Sequence, residues 1–135
     1  MRLIAAPSGS EHFHHVLTGL QSIAERSNGD MTVESLTLDI THNKKQSYVA
    51  QADDGKVMAV AVTEVYEMPS GEKAVYLVGG TGEAREEWQH LITELCARAK
   101  ANGCVKFKSL CRPGWVRAFK GYGFTETHRL IEKAL

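Results

Sequence analysis

The sequence predicts one α/β (α+β) domain, residues 1–135, built on a mixed central sheet with elements in the order β-α-α-β-β-β-α-β-α-β. Three features predict it. Between Ala74 and Leu110 a short apolar run, a glycine cluster, an amphipathic stretch and a second alternating run follow one another, which is the pattern of a βαβ unit. Before it, Gln46 to Glu67 alternates in two segments around Asp53-Asp54-Gly55-Lys56, a hairpin signal. A chain of 135 residues that is 43% apolar is long enough for one core and buries roughly two-thirds of its unfolded surface.

Leu3-Ile4-Ala5 is the expected first strand, and Pro7-Ser8-Gly9-Ser10 turns the chain into a helix, with Ser10 as N-cap and Glu11 in the first turn. That helix reaches about Arg26 on a stripe of Phe13, Val16, Leu17, Leu20 and Ile23, and Ser27-Asn28-Gly29-Asp30 breaks it. Thr32 to Ile40 reads as a second helix through Val33, Leu36 and Ile40, while its β-branched content also allows a strand. Gln46–Gln51 and Val57–Glu67 are strands, Pro69-Ser70-Gly71 makes the next turn, and Ala74–Val78 completes an antiparallel meander.

Gly79-Gly80-Thr81-Gly82 reads as a turn into a long helix, whose buried stripe is Trp88, Leu91, Ile92, Leu95, Cys96 and Ala99 and whose end is Asn102-Gly103. Val105–Leu110 follows as a strand parallel to Ala74–Val78, since a helical crossover joins them. Pro113 opens a short helix with Trp115, Val116 and Phe119 on its apolar face. Gly121-Tyr122-Gly123 closes it before a last strand from Thr125 to Ile131.

Lys+Arg and Asp+Glu balance at 16 each, so no overall field draws the chain to nucleic acid or to an anionic membrane. The N-terminal apolar run is too short for a signal peptide and nothing reaches the length of a membrane span, so a cytoplasmic protein is expected. Cys96, Cys104 and Cys111 fit reduced thiols. His12 and His15 share a helical face, but no Cys or carboxylate is spaced to complete a metal site with them, and no metal is expected.

A strand, a glycine turn and a helix start gather free amides and the positive end of a helix dipole at one place, which suits an anion such as phosphate; a tight turn without a ligand has the same sequence. With the element order, Gly80-Thr81-Gly82, Asn102-Gly103, Ala118-Phe119 and Gly123-Phe124 resemble the GNAT superfamily of acyl-CoA-dependent N-acetyltransferases over nearly the whole chain. A further likeness, to small GNAT-like proteins encoded by bacteriophages, rests on Gly103-Cys104 and Arg112-Pro113-Gly114-Trp115.

The GNAT resemblance implies an acetyl transfer from acetyl-CoA to a primary amine on a small molecule or a protein. It places the pantetheine arm along Tyr76, Leu77, Val78 and Gly79. The pyrophosphate falls to the amides of Gly80, Thr81, Gly82, Glu83 and Ala84, with Arg85 the one cation of that turn and Arg112 available to the 3′-phosphate or a substrate carboxylate. The amine must lose a proton, the oxyanion needs an N–H, and the departing thiolate needs an acid. Leu77 stands where the family prefers Gln or Arg, and Phe119 where it uses an acidic tyrosine. Tyr122, three residues on and about 60° around an ideal helix, is the candidate acid. Glu64 is the candidate base, with Glu67 and Tyr48 also available. Glu83, Glu86 and Glu87 near the amides oppose a phosphate. The alternative reading is a GNAT-fold binding module without turnover, acting on a host protein if the phage likeness holds. The resemblance also allows a homodimer through a sheet edge or the last strand.

Overall fold

A computed structural model describes residues 1–135. Five strands form one sheet in the order β1-β2-β3-β4-β5: β1 (Arg2–Ala5), β2 (Gln46–Gln51), β3 (Val57–Glu67), β4 (Lys73–Gly82) and β5 (Cys104–Ser109). Neighbours are antiparallel except β4 and β5, which are parallel as the crossover demands. The fold class read from the sequence is the fold observed.

Helices α1 (Phe13–Arg26) and α2 (Val33–Thr41) cover one face. Val16, Leu20 and Ile23 of α1 and Leu36 and Ile40 of α2 bury against Val49, Val60 and Val62 of the sheet. Gly19 lets α1 come close, since a Cβ there would stand 2.9 Å from Val60 Cβ. Residues 8–12 form turns and a bend, so α1 starts later than expected: its cap is His12, and Ser10 Oγ caps nothing. The second segment is a helix and not a strand. Its Thr32 side chain accepts from the Ser35 amide while Ser35 accepts from the Thr32 amide, a capping box that outweighs the β-branched content.

The other face carries the crossover. Three pieces replace the single long helix: α3 (Arg85–Trp88), a 3₁₀ turn (Gln89–Leu91) and α4 (Ile92–Ala101). Leu91, Ile92 and Leu95 still bury against Leu3, Ala50, Ala59 and Leu77, so the apolar stripe survives the break. Helix α5 (Pro113–Lys120) adds Phe119 to this core, and Phe124 packs on Phe119 with ring centroids 5.0 Å apart.

Two expectations need correction. Gly79 to Gly82 are not a turn but the end of β4, held in register with Val62, Val60 and their neighbours on β3. The strand from Thr125 to Ile131 does not form. Its apolar side chains come only at the end, so pairing there would bury little, and Leu130 and Ile131 lie exposed.

Candidate active site

The site begins with one extra residue in β4. Val62 pairs with Gly79 and Thr63 with Leu77, which leaves Val78 unmatched in a β-bulge. A bulge bends the strand that carries it. The pairing of β4 with β5 ends at Leu77 and Ser109, immediately before that bend. Beyond it the two parallel strands separate, and the groove between them is lined by Tyr76 to Gly80 on one side and by Ser109 to Arg112 on the other.

The bulge also decides which peptide groups face the groove. Glu83 N–H donates to Met58 carbonyl at 3.1 Å, so in the antiparallel alternation Thr81 bonds to Val60 while the amides of Gly80 and Gly82 point away from β3, toward the free edge. Arg26 Nη1 reaches the Gly80 carbonyl on that same edge at 3.4 Å. Of the five amides expected from the sequence to hold a pyrophosphate, those of Gly80 and Gly82 are free to do so; that of Glu83 is engaged. Ala84 is left-handed, with φ of 51°, and separates them from the first turn of α3.

The glycines have distinct causes. A Cβ on Gly79 would stand 2.7 Å from Ile23 Cγ2, and one on Gly82 would stand 2.3 Å from the Met58 carbonyl oxygen, so both are glycine because the fold leaves no room. A Cβ on Gly80 would meet only the Val60 carbonyl, at an ordinary 3.6 Å. Gly80 is therefore the position where the backbone lies open to a ligand.

Charge divides sharply around this groove. Eight cationic side chains border the wide open hollow that runs from this groove past α3 and α5 to the C-terminal residues, against three carboxylates, Asp30, Glu126 and Glu132, although the chain as a whole is neutral. Glu83, Glu86 and Glu87, which the sequence set against a phosphate, are exposed and take no part in the lining. Glu83 turns instead to Lys56, 3.6 Å away. Arg85 lies over the Trp115 ring at 4.9 Å and its Nε is buried without a hydrogen-bond partner, while Arg112 is exposed at the N-cap of α5 and caps nothing.

The candidate catalytic groups flank the groove from opposite faces. Tyr122 packs against the apolar cluster on the α4 and α5 face to which Phe119 and Leu77 belong. Glu64 belongs to the α1 and α2 face, where Lys45 Nζ stands 3.9 Å from it and 2.6 Å from Asp39 of α2. Glu64 sits on β3, one strand back from the gap, and does not line it. Its cross-strand neighbour Tyr76 does, and burial raises the Tyr76 phenol above its ordinary range despite the nearby Leu110 backbone, so it is protonated at neutral pH. Sequence reasoning valued Tyr76 for its backbone alone; its register with Glu64 is set by the turn from Met68 to Glu72, on the hairpin side of the bulge. Tyr48, on the other face, lies under the Arg98 guanidinium at 5.6 Å.

All three cysteines are free, and burial raises the Cys96 and Cys111 thiols, which suits packing and not nucleophilic attack. The His14 and His15 rings stand 4.0 Å apart, and burial, then His14 and His12, lower His15. No set of three ligating side chains gathers for a metal. No helix is long and apolar enough to cross a membrane.

No family profile matches the sequence and no curated protein is similar to it. Solved structures are similar in fold. A probable acetyltransferase superimposes with a TM-score of 0.76 at 16% identity, covering 100% of this chain and 97% of the other. A ribosomal-protein-alanine N-acetyltransferase from Brucella melitensis biovar Abortus gives 0.73 at 10% identity over 100% of both chains. An acetyltransferase from Trypanosoma brucei gives 0.70 at 16% identity over 99% of both. The chain thus has the fold of the GNAT-type acetyltransferases, and at these identities the likeness concerns the fold alone.

Proposed function

We propose that the chain is an N-acetyltransferase that moves an acetyl group from acetyl-CoA to a primary amine. The observation that carries the proposal is the segregation of charge: a neutral protein gathers eight cationic side chains along the hollow into which the gap between two splayed parallel strands opens, and keeps its acidic turn outside. A long polyanionic ligand with a slender apolar arm suits such a groove. The residues present fit it, since the Arg85 Nε is a buried donor without a partner and Gly80 leaves its edge open.

In this reading the edge of β4 that comes free after Leu77, from Val78 to Gly80, holds the pantetheine arm while Tyr76 and Leu77 stay paired with β5, the Gly80 and Gly82 amides face the pyrophosphate, and Arg85 and Arg112 offset its charge. Bound acetyl-CoA supplies the activated acetyl group. The acceptor amine enters from the α1 and α2 face, where Glu64, through water and beside the protonated Tyr76, takes its proton. Tyr122 on the opposite face donates a proton to the departing sulfur. Because the gap opens to both faces, base and acid need not be neighbours.

Calorimetric titration with acetyl-CoA tests the cofactor. Micromolar binding that Gly80→Glu weakens at least tenfold supports the site, whereas no binding up to millimolar acetyl-CoA overturns the enzyme reading. An amine panel with Tyr122→Phe tests the chemistry: the expected outcome is a fall in kcat of about 100-fold or more with acetyl-CoA affinity unchanged.

A second reading, a binding module without turnover that acts on a host protein, is favoured by one observation. Phe119 occupies the position of the family's acidic tyrosine and is buried in the core, so no hydroxyl is presented there. It predicts acetyl-CoA binding without transfer to any amine tested.

A further inference from the structure

We propose that a second hollow, of about 300 Å³ on the α4 face of the sheet, is a site for a small monocarboxylate with an apolar body, held by Lys73 and Arg98. The space follows from the lengths of the elements. β2 begins at Gln46, opposite Thr63, so β3 runs on to Glu67 with β4 alone beside it. α4 ends at Ala101 and leaves that corner of the sheet open, with Val65 exposed on its floor beside its cross-strand partner Val75. Such a volume stands at the lower end of those that hold small molecules. Tyr48, Leu95 and Phe107 border both this hollow and the larger one, but Lys73 begins β4, roughly 20 Å along the strand from Gly80.

The charge on this lining is all of one sign. No carboxylate borders the hollow, and neither Lys73 nor Arg98 takes part in an ion pair. Glu67 is the cross-strand neighbour of Lys73, yet it makes no ion pair with it and stays outside the lining. Arg98 is held ready: its Nη2 donates to the Leu3 carbonyl at 3.0 Å and its guanidinium lies over the Tyr48 ring at 5.6 Å, which leaves its other N–H groups for a ligand. Gln46 accepts the Thr63 hydroxyl at 3.3 Å and keeps its own amide hydrogens unengaged. The carbonyl end of α4 would repel an anion, but the Arg98 carbonyl accepts from both the backbone N–H and Nδ2 of Asn102. A guanidinium and an ammonium suit the two oxygens of a carboxylate, and the Val65 and Val75 floor suits a hydrocarbon body. An inorganic anion would leave that floor in water.

The test is titration of the full chain with phenylacetate, with its uncharged amide phenylacetamide, and with acetate, followed by the NMR shifts of backbone amides. Phenylacetate is expected to shift Val65, Val75, Arg98 and Asn102 to saturation with a dissociation constant of about 1 mM, the range of a ligand of that size. Phenylacetamide, without the charge, and acetate, without the ring, should each bind at least about tenfold more weakly. Lys73→Gln, at an exposed position, should weaken phenylacetate at least about threefold and leave phenylacetamide unchanged. Val65→Glu, which sets a carboxylate on the exposed floor, should abolish the shifts, whereas Lys100→Gln, exposed on the same helix but outside the hollow, should change nothing. Equal affinity for acid and amide overturns the inference, as does a Lys73→Gln variant that binds phenylacetate like the wild type. Shifts confined to Gly80, Ser109 and their neighbours also overturn it, since they put the ligand in the groove. Absence of saturation up to about 20 mM does the same. Neither acetyl-CoA nor an amine enters these titrations, so their failure leaves the acyl-CoA reading untouched.

Discussion

Gly79, Gly80 and Gly82 look alike in the sequence and differ in what they do. At Gly79 an added methyl meets Ile23 at 2.7 Å, so Gly79→Ala should destabilise the fold by about 1–3 kcal/mol through overpacking. At Gly80 the same methyl fits, and since glycine inside a strand costs about 0.5–1 kcal/mol relative to alanine, Gly80→Ala should leave stability unchanged or slightly raised. Urea unfolding of the two variants checks the pair, and the reverse order would show that α1 does not clamp this edge. The sequence displays the glycines; it does not display Ile23 above one of them, because that contact spans from α1 to β4. Leu77 and Phe119 were legible as departures from a family pattern, and both turn out to be core side chains.

At the scale of elements, the meander, α1, and the parallel β4 and β5 could be read from periodicity and turn residues, since each buries a stripe that the sequence writes out, whereas the α2 segment stayed open between helix and strand until its capping box was seen. The broken crossover helix could not. Its stripe is continuous through the 3₁₀ turn at Gln89–Leu91, and at the entry to α3 Ala84 takes a left-handed conformation that alanine disfavours by roughly 1–2 kcal/mol while the Trp88 indole N–H bonds the Glu83 carbonyl at 2.6 Å. Ala84→Gly relieves that strain and should raise stability by about 1 kcal/mol, read as a higher urea midpoint at an unchanged slope. The absent last strand has the opposite cause: the glycines that close α5 suggest a strand to follow, but its residues have almost nothing apolar to bury.

Over the whole molecule, equal numbers of acids and bases conceal an uneven distribution, which composition cannot show. If the cationic groove captures its ligand electrostatically, raising salt from about 0.05 M to about 0.5 M should weaken acetyl-CoA binding by about tenfold or more, since a shorter Debye length screens the lining; a flat response would argue against it. Charge also bears on stability. The hydrogen bond from Lys45, reinforced by its charge, holds the Asp39 carboxyl below the usual carboxylate range. A depressed folded value means a contribution present above the unfolded value and lost as pH falls through the folded one. Asp39→Asn should therefore cost up to about 1 kcal/mol at pH 7 and nothing near pH 2, measured by thermal denaturation across that range. The groove itself hangs on Val78, the unmatched residue that turns β4 away from β5. Losing one codon there would leave every other lining side chain encoded and draw the two strands together, so the space is inherited as a count of residues and is exposed to deletion more than to substitution.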